Sequence, residues 1–182
     1  MNIFVKKTKR LIYPQKIVLI GFMGSGKTTI GKKLANQLGL SFVDLDEAIV
    51  EQEGVDITTI FETKGEAYFR DVEHQKLKEI LTSNEQFVLA TGGGTPCFHN
   101  NMQLINENGV SVYLKYSAPF LVSRLEVAKT ARPLLKNLNN KELNVFVEKL
   151  LSEREPFYLQ SNFVVGKINI KVGDVLAALN NV

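Results

Sequence analysis

Gly21, Gly26, Lys27 and Thr28 satisfy the spacing G-x-x-x-x-G-K-[ST] at every specified position. The apolar run Ile17-Val18-Leu19-Ile20 precedes them and an amphipathic stretch follows, which is the strand–loop–helix setting that this spacing requires. Backbone N–H groups of such a loop, together with the positive end of the next helix, favour phosphate oxygens. Lys27 would add a positive charge at the β- and γ-phosphates, and the Thr28 hydroxyl suits a magnesium ion. Gly21 and Gly24 by themselves would indicate no more than a turn. The full pattern predicts a nucleotide cradle built from Gly24, Ser25, Gly26, Lys27, Thr28 and Thr29.

A phosphate cradle alone does not separate a kinase from a switch or a motor, so the acceptor side has to decide. Asp44 and Asp46 stand at i and i+2 at the end of an apolar run, and in extended geometry both would face one side. Beside phosphates, Asp44 suits water ligands of a magnesium ion, and Asp46 suits acceptance of a hydroxyl proton. The plainer reading of Asp46 is a helix N-cap. Arg70 falls within an amphipathic stretch, where it could pair with Glu66 or Glu73 at helical spacing. Alternatively its planar guanidinium could clamp a substrate carboxylate, as a lysine could not. Gly92-Gly93-Gly94 follow another apolar run, and three glycines cost more backbone entropy than an ordinary turn warrants. They allow backbone N–H groups to come close to a ligand.

The elements that must position these groups alternate. Strands are predicted at 17–20, 41–44, 87–90, 110–114 and near 163–165. Helices are predicted at 27–38, 56–63 with Asp56 as N-cap, 65–81, 118–126, 141–154 and 172–179, and His99 is read as opening a further one. The polar segment 127–140, with one proline and three asparagines, reads as a mobile loop. Strands separated by helices imply an α/β, three-layer fold, a parallel sheet with helices on both faces and ligands at the carboxyl ends of its strands. With no repeat or linker, residues 1–182 read as one domain.

Composition narrows the setting. Of the residues, 45% are apolar and 23% charged, the balance of a globular chain. No apolar run approaches the roughly 18 residues of a membrane span, and no secretory signal opens the chain. One cysteine, Cys97, points to a reducing cytoplasm and reads as an inert buried thiol. The net charge of +3 rests on Lys6, Lys7, Lys9 and Arg10; without them 18 basic residues face 19 acidic ones. Neither a nucleic-acid partner nor a membrane partner is expected. His74 and His99 lack cysteine or histidine partners at metal spacing.

Six motifs in fixed order then make the sequence resemble the shikimate kinases from about Ile17 to the last helix. They are Gly21-Phe22-Met23-Gly24-Ser25-Gly26-Lys27-Thr28, Phe42-Val43-Asp44-Leu45-Asp46, and Ile60-Phe61 with Gly65-Glu66, Phe69-Arg70 and Glu73. Thr91-Gly92-Gly93-Gly94, Arg132-Pro133-Leu134-Leu135, and Arg154 with Tyr158 complete the set. The resemblance implies a P-loop fold with a five-stranded parallel sheet and a mobile lid at about 127–140. It implies transfer of the γ-phosphate of ATP to the 3-hydroxyl of shikimate, with Mg²⁺, by a monomer, in a step toward aromatic amino acids. Asp46 is then the base that contacts the ring hydroxyls, Arg70 and Arg154 bind the carboxylate, and the backbone of Gly92, Gly93 and Gly94 closes the acceptor pocket. Arg132 reaches the phosphates from the lid, Asp44 acts on the metal through water, and Arg124 borders the adenine. Residues 1–14 lie outside the resemblance and receive no role. Two rivals are a kinase for another acceptor, such as gluconate or a nucleoside monophosphate, and a non-catalytic nucleotide-binding regulator. Asp46, Arg70, Arg154 and the glycine run as a set weigh against the first. The intact Lys27, Asp46 and Arg132 weigh against the second.

Overall fold

The computed structural model describes residues 13–127 and 139–180. Five strands form one sheet: β1 (Lys16–Ile20), β2 (Ser41–Asp44), β3 (Phe87–Ala90), β4 (Val110–Lys115) and β5 (Phe163–Gly166). Their spatial order is β2-β3-β1-β4-β5 and every pairing is parallel. Parallel neighbours need crossovers, and the helices supply them: α1 (Lys27–Leu38), α2 (Leu45–Glu53), α3 (Ile57–Thr82), α4 (Asn101–Asn108), α5 (Ala118–Val127), α6 (Asn140–Tyr158) and α7 (Val172–Leu179). Because helices cover both faces, the central strands read as unbroken apolar runs. Ile17, Val18, Leu19 and Ile20 are all fully buried, as are Val88, Leu89 and Val112. No described helix is long and apolar enough to cross a membrane.

All five strands run the same way, so the segments leaving β1, β2 and β3 emerge at one edge. The glycine-rich loop, Asp44–Asp46 and Thr91–Gly94 are thereby brought together from three separate parts of the chain. The expected bend between two helices near 63–65 is present: α3 is interrupted at Gly65 (φ 83°, ψ 170°), and Asp56 caps its start by accepting from Thr59 N–H.

Several boundaries differ from expectation. β2 stops at Asp44 and α2 starts at Leu45, so Asp44 is the N-cap of α2, while Asp46 occupies its first turn. Asp44 and Asp46 therefore do not share one extended face. His99 does not open a helix; His99 (φ 49°) and Asn100 (φ 57°) are left-handed, and α4 begins at Asn101. Of the segment expected to be a mobile loop, Val127 ends α5, Asn139 caps α6 and Asn140 begins it, while 128–138 lie outside the described residues. Residues 1–12 of the N-terminal extension lie outside them as well.

α6 also continues past Arg154 and through Pro156. A proline inside a helix removes one N–H donor, and here a tertiary contact holds the last turn in place. Tyr158 is fully buried, its ring 5.1 Å from that of Tyr113, and its hydroxyl donates to the Gly93 carbonyl at 2.5 Å. That bond ties α6 to the glycine run after β3. Tyr158→Phe keeps the ring and leaves the Gly93 carbonyl without this donor, so it should cost about 1–3 kcal/mol in urea unfolding. An unchanged midpoint would show that the bond does not anchor the glycine run.

Candidate active site

The loop after β1 carries the first half of the site. Gly26 adopts φ 88° and ψ 21°, a left-handed conformation that a side chain would strain, and no side chain caps α1. The positive end of α1 favours an anion there. Lys27 is buried; its ammonium donates to the carbonyls of Gly21 (2.8 Å) and Phe22 (3.1 Å). Ser25 departs from the inward-pointing cradle. Its N–H donates to the Phe22 carbonyl, and its buried hydroxyl, 3.0 Å from where a Gly21 Cβ would stand, has no hydrogen-bond partner.

A cavity of about 570 Å³ opens over this loop, lined by Gly24, Gly26, Lys27, Thr28 and Thr29 on one side and by Asp44, Asp46 and Thr91 on the other. A second cavity of about 500 Å³ shares Gly26, Thr29 and Arg124 with it and extends to Tyr116, Ile170 and Lys171. Arg124 stands between the two. Its Nη1 donates to the Gly24 carbonyl at 3.2 Å, and its guanidinium lies over the rings of Phe120 (5.2 Å) and Tyr116 (5.8 Å).

Across the first cavity, the Thr28 hydroxyl donates to Asp44 Oδ2 at 2.8 Å, and Asp44 Oδ1 accepts the N–H of Asp46 at 3.1 Å. Asp44 is thus held by both of its oxygens, while the Asp46 carboxyl faces the cavity. Burial, and then the charges of Asp44 and Glu73, push the Asp46 carboxyl up to about 6, against the opposing pull of Lys27 and Arg70. A carboxylate of that basicity can take a proton from a hydroxyl near neutral pH.

Beyond Asp46 lies the glycine run. Arg70 is buried midway along α3, and its Nη1 donates to Glu73 at 2.8 Å while Nε and Nη2 donate to Glu66 at 3.2 and 3.0 Å. Both pairings foreseen from helical spacing form, yet Glu73 is buried and only Glu66 is at the surface. The Phe98 ring lies 4.1 Å from the guanidinium. A Cβ on Gly94 would come within 2.8–3.1 Å of Arg70 Nη1, Nη2 and Cζ, and one on Gly93 within 3.4 Å of Arg154 Nη1. At Gly94 a side chain would therefore displace the Arg70 guanidinium. Arg154, expected as either a carboxylate ligand or a helix-terminal cation, lies one turn inside the end of α6.

Among the described residues the fold therefore gathers every expected site residue at one sheet edge; Arg132 lies outside them. Cys97 is half-buried next to this region, and burial pushes its thiol up to about 11, as an inert thiol requires. Glu73 was read as a possible partner of Arg70 from its spacing of three residues, but not as a buried one. One supporting group was not singled out from sequence: Phe98 carried no signal, because its contact with Arg70 spans the chain between α3 and the turn after β3.

Burying Asp46 has a stability consequence of fixed sign. Between about pH 4 and pH 6 the native state keeps a proton that the unfolded chain has released, so stability falls as pH rises across that window and stays lower above it. Asp46→Asn removes the penalty. In thermal melts it should raise Tm at pH 8 by at least about 2 °C and lose that advantage at pH 4. Equal melting at pH 8 would mean that the fold does not strain this carboxylate.

Comparison with known proteins agrees with this geometry. The family model for shikimate kinase matches residues 23–179. A shikimate kinase of Azobacteroides pseudotrichonymphae is 45% identical over 165 residues, covering 91% of this chain and 97% of the relative. The crystal structure of the shikimate kinase from Bacteroides thetaiotaomicron superposes with a TM-score of 0.84 at 36% identity, covering 92% of this chain and 96% of the other. That of Acinetobacter baumannii, in complex with shikimate, gives 0.78 at 35% identity, with 92% and 90% covered. With the cradle, the acid pair and the two arginines gathered as described, the chain belongs to the shikimate kinase family.

Proposed function

We propose that this protein transfers the γ-phosphate of ATP to the 3-hydroxyl of shikimate, giving shikimate 3-phosphate and ADP in aromatic amino acid biosynthesis. The observation that carries the reading is the placement of Asp46 between the phosphate cradle and the two arginines that flank Gly93 and Gly94. An acceptor with a carboxylate at one end and a hydroxyl at the other matches that layout.

In this reading the triphosphate lies along the loop, with Lys27, Thr28, Thr29 and the N–H groups of Gly24 and Gly26 on its oxygens. The adenine enters the second cavity, where the Arg124 guanidinium can stack on it. Arg70 and Arg154 hold the carboxylate of shikimate, and the backbone of Gly92, Gly93 and Gly94 closes behind the ring. Asp46 accepts the proton of the 3-hydroxyl as that oxygen attacks the γ-phosphorus, ADP departs, and Arg132 completes the charge around the phosphoryl group from the segment between α5 and α6. Such chemistry asks for positioning and electrostatics rather than covalent help.

The donor set also fits magnesium. Thr28 Oγ1 and Asp44 Oδ2 lie 2.8 Å apart, hard oxygens of the kind this ion takes beside substrate phosphates, with Asp44 acting through water. When bound, the ion would offset phosphate charge. Among the described residues no three acidic, histidine or cysteine side chains are grouped so as to hold a metal ion by themselves. The protein is expected to act in the cytoplasm as a monomer.

The test is ADP release with Mg·ATP and shikimate, gluconate, AMP or no acceptor. ADP is expected with shikimate alone. Asp46→Asn should lower kcat by about 10²–10⁴-fold, and Lys27→Met by about 10²–10³-fold. Arg70→Lys keeps the charge but loses the fork, and should raise KM for shikimate about tenfold or more with KM for ATP unchanged. Turnover of gluconate or AMP in preference to shikimate would overturn the acceptor assignment.

A further inference from the structure

The turn that follows the glycine run contains a threonine for which the reaction as described has no use. Thr95 is fully buried, and its hydroxyl donates to Glu73 Oε1 at 2.6 Å. Glu73 is buried as well, and its other oxygen accepts from Arg70 Nη1 at 2.8 Å. A buried carboxylate needs donors on its oxygens. Here one oxygen is satisfied by Arg70 and the other by Thr95.

The surroundings of Glu73 Oε1 make that second donor matter. A Cβ built on Gly92 would lie 2.9 Å from Thr95 Oγ1, 3.0 Å from Asp46 Oδ1 and 3.0 Å from Glu73 Oε1. Two carboxylate oxygens and one hydroxyl thus surround a single point on the glycine run. Without the hydroxyl, Glu73 Oε1 would face the Asp46 carboxylate with no donor of its own. The carboxylate would then turn toward another donor, and that change releases Arg70 Nη1.

Thr95 is itself held by a second layer. Fully buried Asn101 donates through Nδ2 to the Thr95 carbonyl at 2.8 Å, and that bond fixes which way the amide points. Its Oδ1 must then accept from His74 Nδ1, 2.6 Å away. The donors run in one direction, from His74 through Asn101 to the Thr95 backbone, and from the Thr95 hydroxyl to Glu73. The branched β-carbon of threonine limits rotation about χ1, so the hydroxyl stays aimed.

We infer that Thr95 is a positioning residue for recognition of the acceptor's carboxylate: its hydroxyl, anchored by Asn101 and His74, fixes Glu73 and through Glu73 the guanidinium of Arg70. The inference rests on the assignment of shikimate as acceptor and of Arg70 as a ligand of its carboxylate.

Thr95→Val preserves shape and removes the hydroxyl; Thr95→Ser preserves the hydroxyl. Steady-state ADP release would be measured for the wild type and both variants with shikimate and with its uncharged methyl ester, varying ATP separately. Thr95→Val is expected to raise KM for shikimate about tenfold, of the order lost with one charge-assisted hydrogen bond. KM for ATP and KM for the ester should stay within about twofold, so that the preference for the free acid falls about tenfold, and Thr95→Ser should restore KM for shikimate to within about threefold. A wild type that releases no ADP with shikimate overturns the acceptor assignment and this inference with it. An active wild type with an unchanged KM for shikimate in Thr95→Val overturns the inference alone. So does a loss shared equally by acid and ester, or a valine variant that fails to fold together with a serine variant that does not recover.

Discussion

Three carboxylates, Asp44, Asp46 and Glu73, crowd the ends of β2 and β3 with Lys27 and Arg70 among them, and that crowding governs what surrounds it. Each acid is handled differently. Asp44 is stabilised by two donors, the Thr28 hydroxyl and the Asp46 N–H. Glu73 is stabilised by the Arg70 guanidinium and the Thr95 hydroxyl. Asp46 stands between them, raised in basicity by burial and by both neighbours. The raised basicity of Asp46 thus follows from its burial and from the two carboxylates held beside it.

The backbone shares in this. Carboxyl ends of parallel strands bring loops to one edge, but a side chain at Gly94 would not let Arg70 approach as closely as it does. The run 92–94 places bare main chain against Asp46 and Glu73 at Gly92, against Arg154 at Gly93 and against Arg70 at Gly94. Tyr158 then anchors the run through the Gly93 carbonyl, and this contact carries α6 through Pro156. A local rule about proline yields to a buried aromatic side chain with a polar tip in the right place.

What the sequence makes legible follows the distance over which each signal acts. The phosphate cradle is contiguous, and both its position and the bounds of α1 could be read directly. β2 and β3 were likewise readable as short apolar runs, and the Gly65 bend and the Asp56 cap as local chemistry. The exchange of capping role between Asp44 and Asp46 was not readable, because both are acids at a plausible helix start and only the backbone decides between them. Nor was the extension of α6, which depends on Tyr113 and Gly93. The support beneath Arg70 mixes both kinds. Glu73 is three residues away on the same helix, whereas Thr95 and Phe98 reach it from another part of the chain.

The places where local preference is overridden are not scattered. Left-handed Gly26 opens α1, left-handed His99 and Asn100 precede α4, the carboxylates of Asp44, Asp46 and Glu73 crowd together, and three glycines follow a strand. All but the His99–Asn100 pair lie at the sheet edge where the cavities open, and that pair forms part of the turn that aims Thr95 and Phe98. Each carries a cost that an ordinary core would avoid, in strain, desolvation or backbone entropy. Sequences tend to be consistent across levels except where function requires otherwise. Here that rule separates the residues that line the cavity from the residues that hold them. Gly26, Asp46 and the glycine run break local rules at the cavity, while His74, Asn101 and Thr95 are joined by hydrogen bonds that lead to Glu73.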